Sequence, residues 1–282
     1  KAKESGRDTL RLFDDQMQQA VNERAQLEDE LRHALEKDQF ELFIQAQFNS
    51  DLTVIGAEAL VRWRHPARGL VTPALFIGLA EQTGLILPIG RWVLKTACAL
   101  LRRWDEHPVL RNVPLAINIS ALQLYQTDFV DQTLTTLRQT GADPNRLNLE
   151  ITESLLLENI EVAITKMKQL REQGIRFSLD DFGTGYSSLS YLYRLPLDQL
   201  KIDQSFVRGS STDADARAVT RGIISLGKNL ELEVIAEGVE APEQLSFLKE
   251  SGCELFQGYY LSKPLPVAGF ISLCEGGTTT TP

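Results

Sequence analysis

Short runs rich in β-branched and aromatic residues alternate with longer stretches of helix-forming residues over most of this 282-residue chain. We interpret eight of these runs as strands, at residues 40–47, 53–63, 114–120, 146–152, 175–180, 199–203, 231–236 and 253–257. Strands that are separated by helices at steps of roughly 20 to 40 residues form parallel βα units. Eight such units in about 250 residues are typical of a closed α/β barrel.

The first two strands are an exception to this spacing. Only residues 48–52 lie between them, which is room for a turn, whereas parallel neighbours need a crossover of a dozen or more residues. The sequence therefore predicts an α/β fold, a TIM-barrel-like (β/α)8 variant whose first strand is antiparallel. The hydrophobic content of 43% is also compatible with two smaller domains.

A helix is predicted before the barrel, over residues 14–37. Its apolar positions alternate spacings of four and three, as in the seam of a coiled coil; they are Phe13, Met17, Ala20, Arg24, Leu27, Leu31 and Ala34, with Arg24 as the polar exception. Two interpretations stay open: a signalling linker between domains, or an amphipathic helix packed on its own domain. We expect the barrel to cover residues 38–273 and residues 274–282 to be a disordered tail.

Composition excludes some classes of protein. The formal net charge of −9 argues against a nucleic-acid polymer as partner, because such binders usually carry a basic patch. No stretch approaches the roughly 20 apolar residues of a membrane span, so we expect a soluble domain. Cys98, Cys253 and Cys274 are odd in number and none lies in a C-x-x-C pair, which indicates reduced thiols in a cytoplasmic setting. An anionic substrate would need local cations or bound metal.

A polar or ionisable residue stands at or near the end of every predicted strand from the second on. These residues are Glu58, Asn118, Glu150, Asp180 with Asp181, Lys201, Glu237 and Gln257. Barrel enzymes place their chemistry at the carboxyl ends of the strands. Burying a charged group near the apolar barrel core costs roughly several kcal/mol unless the charge is paired or bound to metal.

The residue types favour a hard metal ion. Carboxylates and one amide oxygen suit Mg²⁺ or Mn²⁺, and no histidine stands in a zinc-binding spacing. The neighbours Asp180 and Asp181 repel each other unless a cation or a basic side chain lies between them. They are followed by Gly183 and Gly185, which permit a sharp and mobile turn.

These residues lie in an ordered set of motifs: EALVRW at 58–63, LEITES at 149–154, DDFGTGYSSL at 180–189, LKID at 200–203, AEGVE at 236–240 and QGYYLSKPL at 257–265. From about Asp38 to Ile271 the chain resembles the EAL-domain cyclic di-GMP phosphodiesterases. The family's fold is a barrel variant whose first strand runs against the others, in agreement with the short turn after Gln47. The resemblance implies hydrolysis of one phosphodiester bond of cyclic di-GMP, giving linear pGpG, with two Mg²⁺ or Mn²⁺ ions.

The resemblance also implies a role for each site residue. One metal ion would be held by Glu58, Asn118, Glu150 and Asp180, and Asp181 would help to hold the second. Lys201 and Glu237 match positions that orient or deprotonate the attacking water, and Glu58 would be catalytic as well as a metal ligand. Gln45, Leu60 and Arg62 would contact the substrate. Glu153 would tether the loop after Asp181, and Gln257 would lie behind the metal ligands.

The first strand departs from the pattern of the family. Where many relatives have a Tyr-Gln-Pro-Ile-like first strand, this chain has Ile44-Gln45-Ala46-Gln47. A catalytically silent receptor for cyclic di-GMP and a barrel hydrolase for another phosphodiester stay open as alternatives. The segment Lys1–Asp8 resembles the last turn of a GGDEF domain, so residues 1–37 would join such an upstream or sensor domain to the barrel. The resemblance suggests a homodimer near the helices after the fifth and sixth strands. A separate expectation is that the full-length parent protein is anchored at the inner membrane.

Overall fold

The structure, a computed structural model, describes residues 18, 19, 22, 24–157, 159–184, 192–210 and 213–276. These residues form two compact units. One takes its described residues from 1–41 and 62–89, and the other from 42–61 and 90–282. Most of the barrel strands and the cluster of polar residues described below belong to the second unit, whereas β1 and β2 each have residues in both.

Ten strands form one sheet, which closes on itself. They are β1 (Phe40–Asn49), β2 (Val54–His65), β3 (Gly69–Val71), β4 (Leu115–Asn118), β5 (Leu147–Thr152), β6 (Arg176–Phe182), β7 (Gln199–Ile202), β8 (Glu233–Ala236), β9 (Leu255–Phe256) and β10 (Leu265–Pro266). Eight of them make the ring β1-β2-β4-β5-β6-β7-β8-β9, and β9 pairs with β1. The fold is thus the predicted (β/α)8 barrel variant, and β3 and β10 are additions that the sequence did not reveal.

The first strand runs against the others, as predicted. Within the ring, the neighbours from β2 to β9 pair in parallel, whereas β1 pairs with β9 antiparallel. The turn after β1 is built by Asn49, whose side-chain oxygen accepts hydrogen bonds from the backbone N–H of Asp51 and Thr53. Asparagine favours turns because its side chain can bond the backbone two residues on.

Helices connect the strands. They are α1 (residues 24–36), α2 (Ile77–Thr83), α3 (Ile86–Trp104), α4 (Ala121–Leu124), α5 (Phe129–Thr140), α6 (Ile160–Arg171), α7 (Gln204–Gly209), α8 (Ala214–Asn229), α9 (Pro242–Glu250) and α10 (Val267–Cys274). Polar residues cap several of their amino ends: Ser120 bonds Gln123 N, and Asp203 bonds Ser205 N. Such caps bond free amide groups and so fix where each helix begins.

Helix α1 packs within its own unit. Leu31 and Ala34 are fully buried, and Glu30 lies 3.1 Å from His65 Nε2. This favours the packed interpretation for residues 24–36. Phe13, Met17 and Ala20 of the predicted coiled-coil seam lie outside the described residues, as do residues 277–282 of the predicted tail. The boundaries at residues 37 and 273 stay predictions.

No helix in the described parts of the chain is long and apolar enough to cross a membrane.

A buried arginine ties the start of β5 to the segment before β4. Arg146 Nη2 donates to the carbonyl oxygens of Leu110 at 2.8 Å and Val113 at 2.9 Å, and Nη1 donates to Leu101 O and to the Asp105 carboxylate. The Arg146 side chain is 8% exposed, so water has little access to these bonds. One guanidinium therefore supplies donors to three carbonyls and one carboxylate.

We expect Arg146→Leu to destabilise the fold by about 3 kcal/mol, a fall of roughly 6–12 °C in Tm, because buried acceptors lose their donors. Thermal unfolding followed by circular dichroism measures this. The matched control is Arg171→Leu, which removes a half-exposed arginine paired with Asp198 at 3.1 Å. It is expected to cost less than about 1 kcal/mol. Equal effects of the two variants would show that the buried bonds contribute little.

Candidate active site

The carboxyl ends of the parallel strands meet at one end of the barrel. There the structure brings together seven of the predicted residues: Glu58, Asn118, Glu150, Asp180, Lys201, Glu237 and Gln257, each linked to another of them by a bond given below. Small neighbours on the inward face leave room for these side chains. Ala116 precedes Asn118 by two residues and Ser178 precedes Asp180 by two, and both are buried.

Lys201 lies at the centre of this cluster. Its Nζ atom is 2.7 Å from Glu150 Oε2, 2.6 Å from Glu237 Oε1 and 3.3 Å from Asp180 Oδ1. Glu58 Oε2 is farther away, at 3.8 Å. The side chain of Lys201 is 1% exposed. A buried ammonium is tolerated here because four carboxylates surround it.

Glu58 is held by two amide groups. Asn118 Nδ2 donates to its Oε1 at 2.7 Å, and Gln257 Nε2 donates to its Oε2 at 2.6 Å. Burial by itself would raise the pKa of Glu58, but the charge of Lys201 and these two hydrogen bonds lower it below its usual value. Both oxygens of Glu58 are therefore engaged by amide donors, which favour its ionised form.

Two carboxylates of the cluster, Glu150 and Glu237, are less easily ionised. Burial raises the pKa of Glu150 well above its usual value, and the charge of Glu58 raises it further. Burial also raises the pKa of Glu237 to about 8, although Lys201 opposes the shift. For Lys201, burial disfavours the charged form, but the surrounding carboxylates raise its pKa well above the ordinary range. A divalent cation at this place would favour ionised carboxylates.

Asp181 occupies a strained position at the end of β6. Its φ of +54° lies in the left-handed region, and the pairing of β6 with β7 shifts register between Leu179 and Phe182. Burial raises its pKa to about 6, and the charges of Asp180 and Asp203 add to the shift. The predicted strand ended at Asp180, two residues before β6 ends at Phe182.

Gly183 follows with a φ of +96°, and a Cβ there would lie 2.9 Å from the Phe206 ring. Glycine is needed for both reasons. The rest of the predicted gating loop, Gly185–Tyr191, lies outside the described residues. Glu153, predicted to tether this loop, is half-buried at the start of a short 3-10 helix (Glu153–Leu157). Its role stays a prediction.

The predicted substrate residues lie in β1 and β2. Gln45 is buried, and its amide bonds Gln257 and the carbonyl of Ser262. Leu60 is half-buried, and Arg62 is buried four residues after Glu58 in the same strand. Arg62 belongs to the first compact unit.

A second layer of polar side chains lies deeper in the barrel and was not predicted. Gln47 bonds Gln257 Oε1 at 3.0 Å, Asn148 bonds Ser178 Oγ at 2.6 Å, and Ser178 bonds Gln199 at 2.9 Å. Strand alternation was the available signal. Each residue stands two positions before a site residue or, for Gln47, two after Gln45, so all share the inward face.

The donor set fits a hard divalent ion, but the residues are not arranged around one. Among the described residues, no group of three or more His, Cys, Asp or Glu side chains could hold a metal ion as it stands. The carboxylates bond Lys201, Asn118 and Gln257 instead. Glu150 Oε1 is buried and has no hydrogen-bond partner in the described residues, so it is an oxygen available to a cation.

Comparison with known proteins places these features in a family. A family model for the EAL domain matches residues 28–264. Cyclic di-GMP phosphodiesterase NbdA of Pseudomonas aeruginosa is 45% identical over 270 residues, 95% of this chain and 34% of that protein. Cyclic di-GMP phosphodiesterase PdeR of Escherichia coli is 41% identical over 274 residues, 95% of this chain and 40% of that protein.

A solved structure is also similar over almost its whole length. The structure described as PaMucR phosphodiesterase in a c-di-GMP complex has 42% identity and a TM-score of 0.83, covering 87% of this chain and 99% of that one. The chain spans between about a third and two fifths of the length of the two curated relatives. Barrel topology, the residues at the strand ends and these matches agree, and the chain belongs to the EAL domain family.

Proposed function

We propose that this chain hydrolyses one phosphodiester bond of cyclic di-GMP and releases linear pGpG. The observation that carries the proposal is the cluster of four carboxylates around the buried Lys201 at the carboxyl end of the barrel. Two relatives are named as cyclic di-GMP phosphodiesterases, and a similar solved structure is described as a complex with c-di-GMP. Family membership implies a dependence on divalent metal.

The proposal assigns Mg²⁺ or Mn²⁺ to this cluster. Glu58, Glu150 and Asp180 would hold one ion through carboxylate oxygens and Asn118 through its amide oxygen, with Asp181 at a second ion. Two divalent ions supply a water that ionises near neutral pH and offset the negative charge of the phosphate. To bind an ion through its oxygen, Asn118 would have to turn its amide away from Glu58, which it now faces with Nδ2.

The other residues position the water and the substrate. Lys201 Nζ is a fixed donor that would orient the attacking water through its lone pair. Glu237 lies 2.6 Å from Lys201 Nζ and would accept the proton of that water at a carboxylate oxygen. Arg62 and Gln45 would contact substrate phosphates or bases, and Leu60 would pack beside them.

The test is an assay on the purified chain with Mg²⁺ and, separately, Mn²⁺. We expect cyclic di-GMP to be converted to pGpG, resolved by chromatography, and expect no turnover after chelation with EDTA. Cyclic di-AMP is the matched control for substrate choice and should be cleaved far more slowly. Tight binding of cyclic di-GMP without product in either metal would favour a silent receptor. Faster cleavage of cyclic di-AMP than of cyclic di-GMP would favour the alternative that the barrel hydrolyses another phosphodiester.

A homodimer and an upstream GGDEF or sensor domain are further parts of this proposal and come from the resemblance. The placement of this domain in the cytoplasm is also part of the proposal and is supported by the three cysteines, none of which lies in a C-x-x-C pair.

A further inference from the structure

Gln47 lies inside the barrel behind Gln257. It is 4% exposed, and its Nε2 donates to Gln257 Oε1 at 3.0 Å. Gln45, two residues earlier and on the same inward face, accepts from Gln257 Nε2 at 3.2 Å. Two side chains of β1 therefore bond opposite ends of one amide.

These bonds select one orientation of the Gln257 amide. With its nitrogen toward Glu58, Gln257 donates to Oε2 at 2.6 Å while its oxygen receives the Gln47 donor. If the amide were reversed, its oxygen would face the Glu58 carboxylate and its nitrogen would face Gln47 Nε2. Two acceptors and two donors would then meet in a buried place, which costs free energy at both contacts.

The space for Gln47 is provided by a glycine. A Cβ on Gly56 would lie 2.6 Å from Gln47 Oε1 and 3.6 Å from its Cδ atom. A residue with a side chain at position 56 would therefore push the Gln47 amide from its place. Gly56 also stands two residues before Glu58 in β2, so it lies on the same face of the strand.

We propose that Gln47 is a positioning residue for the hydrolysis. It fixes the amide of Gln257 and, through the hydrogen bond of that amide to Oε2, the position of the Glu58 carboxylate. The inference rests on the proposed function, because it assumes that Glu58 is a metal ligand. Partners behind a ligand usually change metal affinity by 10–100-fold when they are removed.

The test is Gln47→Leu, which keeps most of the volume and removes the donor. We expect Mn²⁺ affinity, measured by calorimetry without substrate, to fall about 10-fold. At saturating Mn²⁺ we expect kcat to recover and KM for cyclic di-GMP to stay within about twofold of the unaltered chain, because Gln47 acts through the metal ligand. A residue with a merely structural role would not produce this combination of weakened Mn²⁺ binding and unchanged KM.

Gln199→Leu is the matched control. Gln199 is also buried in the deeper layer, but its amide oxygen accepts from Ser178 Oγ at 2.9 Å. We expect its Mn²⁺ affinity to stay within about twofold, since this bond does not lead to Glu58. A double-mutant cycle tests whether Gln47 acts through Gln257. In a Gln257→Leu background, Gln47→Leu should cause no further loss of Mn²⁺ affinity.

Gly56→Ala is a second variant should Gln47→Leu fail to fold, and it should weaken Mn²⁺ binding at least about threefold. Unchanged affinity in Gln47→Leu, an equal loss in Gln199→Leu, or additive losses with Gln257→Leu would each overturn the positioning role. If the unaltered chain neither binds Mn²⁺ nor cleaves cyclic di-GMP, the proposed function itself fails, together with this inference. Turnover by the unaltered chain with an unchanged Gln47→Leu variant overturns the positioning role alone.

Discussion

Glu58→Gln is expected to reduce the hydrolysis of cyclic di-GMP at least about 10³-fold. The change is nearly isosteric, but it removes a charged ligand. It also creates a clash, because Asn118 Nδ2 and Gln257 Nε2 donate to the two oxygens of Glu58. One of these donors would face the new amide nitrogen, and two donors cannot bond each other. Initial rates of pGpG formation at saturating Mn²⁺ measure the loss.

The control for this variant is Glu172→Gln, the same change at an exposed residue after α6. Its rate should equal that of the unaltered chain within about twofold, since isolated surface substitutions change stability little. Mn²⁺ binding by calorimetry should weaken at least about 100-fold in Glu58→Gln and stay unchanged in the control. Normal turnover in Glu58→Gln would exclude Glu58 as a required metal ligand.

Lys201→Met should separate catalysis from metal binding. We expect kcat to fall at least about 10²-fold, because the fixed donor that would orient the attacking water is lost. Mn²⁺ affinity should not fall. The Lys201 ammonium pairs with the carboxylates of Glu150 at 2.7 Å and Asp180 at 3.3 Å. Its positive charge therefore competes with a divalent ion for these carboxylates and repels an ion that binds beside it. Methionine keeps the length of the side chain and removes that charge.

Lys168→Met, on the exposed face of α6, is the control and should change neither quantity. The combination of lost turnover and retained Mn²⁺ binding is the result that distinguishes a catalytic lysine from a structural one. If Mn²⁺ affinity falls together with kcat, the main role of Lys201 is to hold the carboxylates together. Retained turnover would remove Lys201 from the mechanism.

Much of the barrel could be predicted because its pattern is local. Each strand is a short apolar run with period two, and the turn at 48–52 excludes a helical crossover between β1 and β2. The additional strands β3 and β10 were missed because three- and two-residue segments carry no periodicity, whereas the equally short β9 was predicted only as part of the longer run at 253–257. The division into two compact units was also not predicted, because both β1 and β2 cross the boundary between them.

In the site, too, the residue types could be predicted from the sequence, but their hydrogen-bond partners could not. The residue types at the strand ends could be read directly, and parallel strands must bring those ends together. The polar layer of Gln47, Asn148, Ser178 and Gln199 could have been found by counting back two positions along each inward face. Their partners could not, because the choice between possible bonds depends on register and side-chain rotamers.

The sequence by itself determined the closed barrel, the reversed first strand and the set of oxygen-bearing side chains at one end. Only the tertiary structure decided that Lys201 lies within bonding distance of Glu150, Asp180 and Glu237, and that Gln257 links β1 to Glu58. Gln257 and Glu58 are 199 positions apart in the chain. Contacts between such distant residues follow from how the closed sheet aligns its strands, and no local pattern in the sequence encodes that alignment.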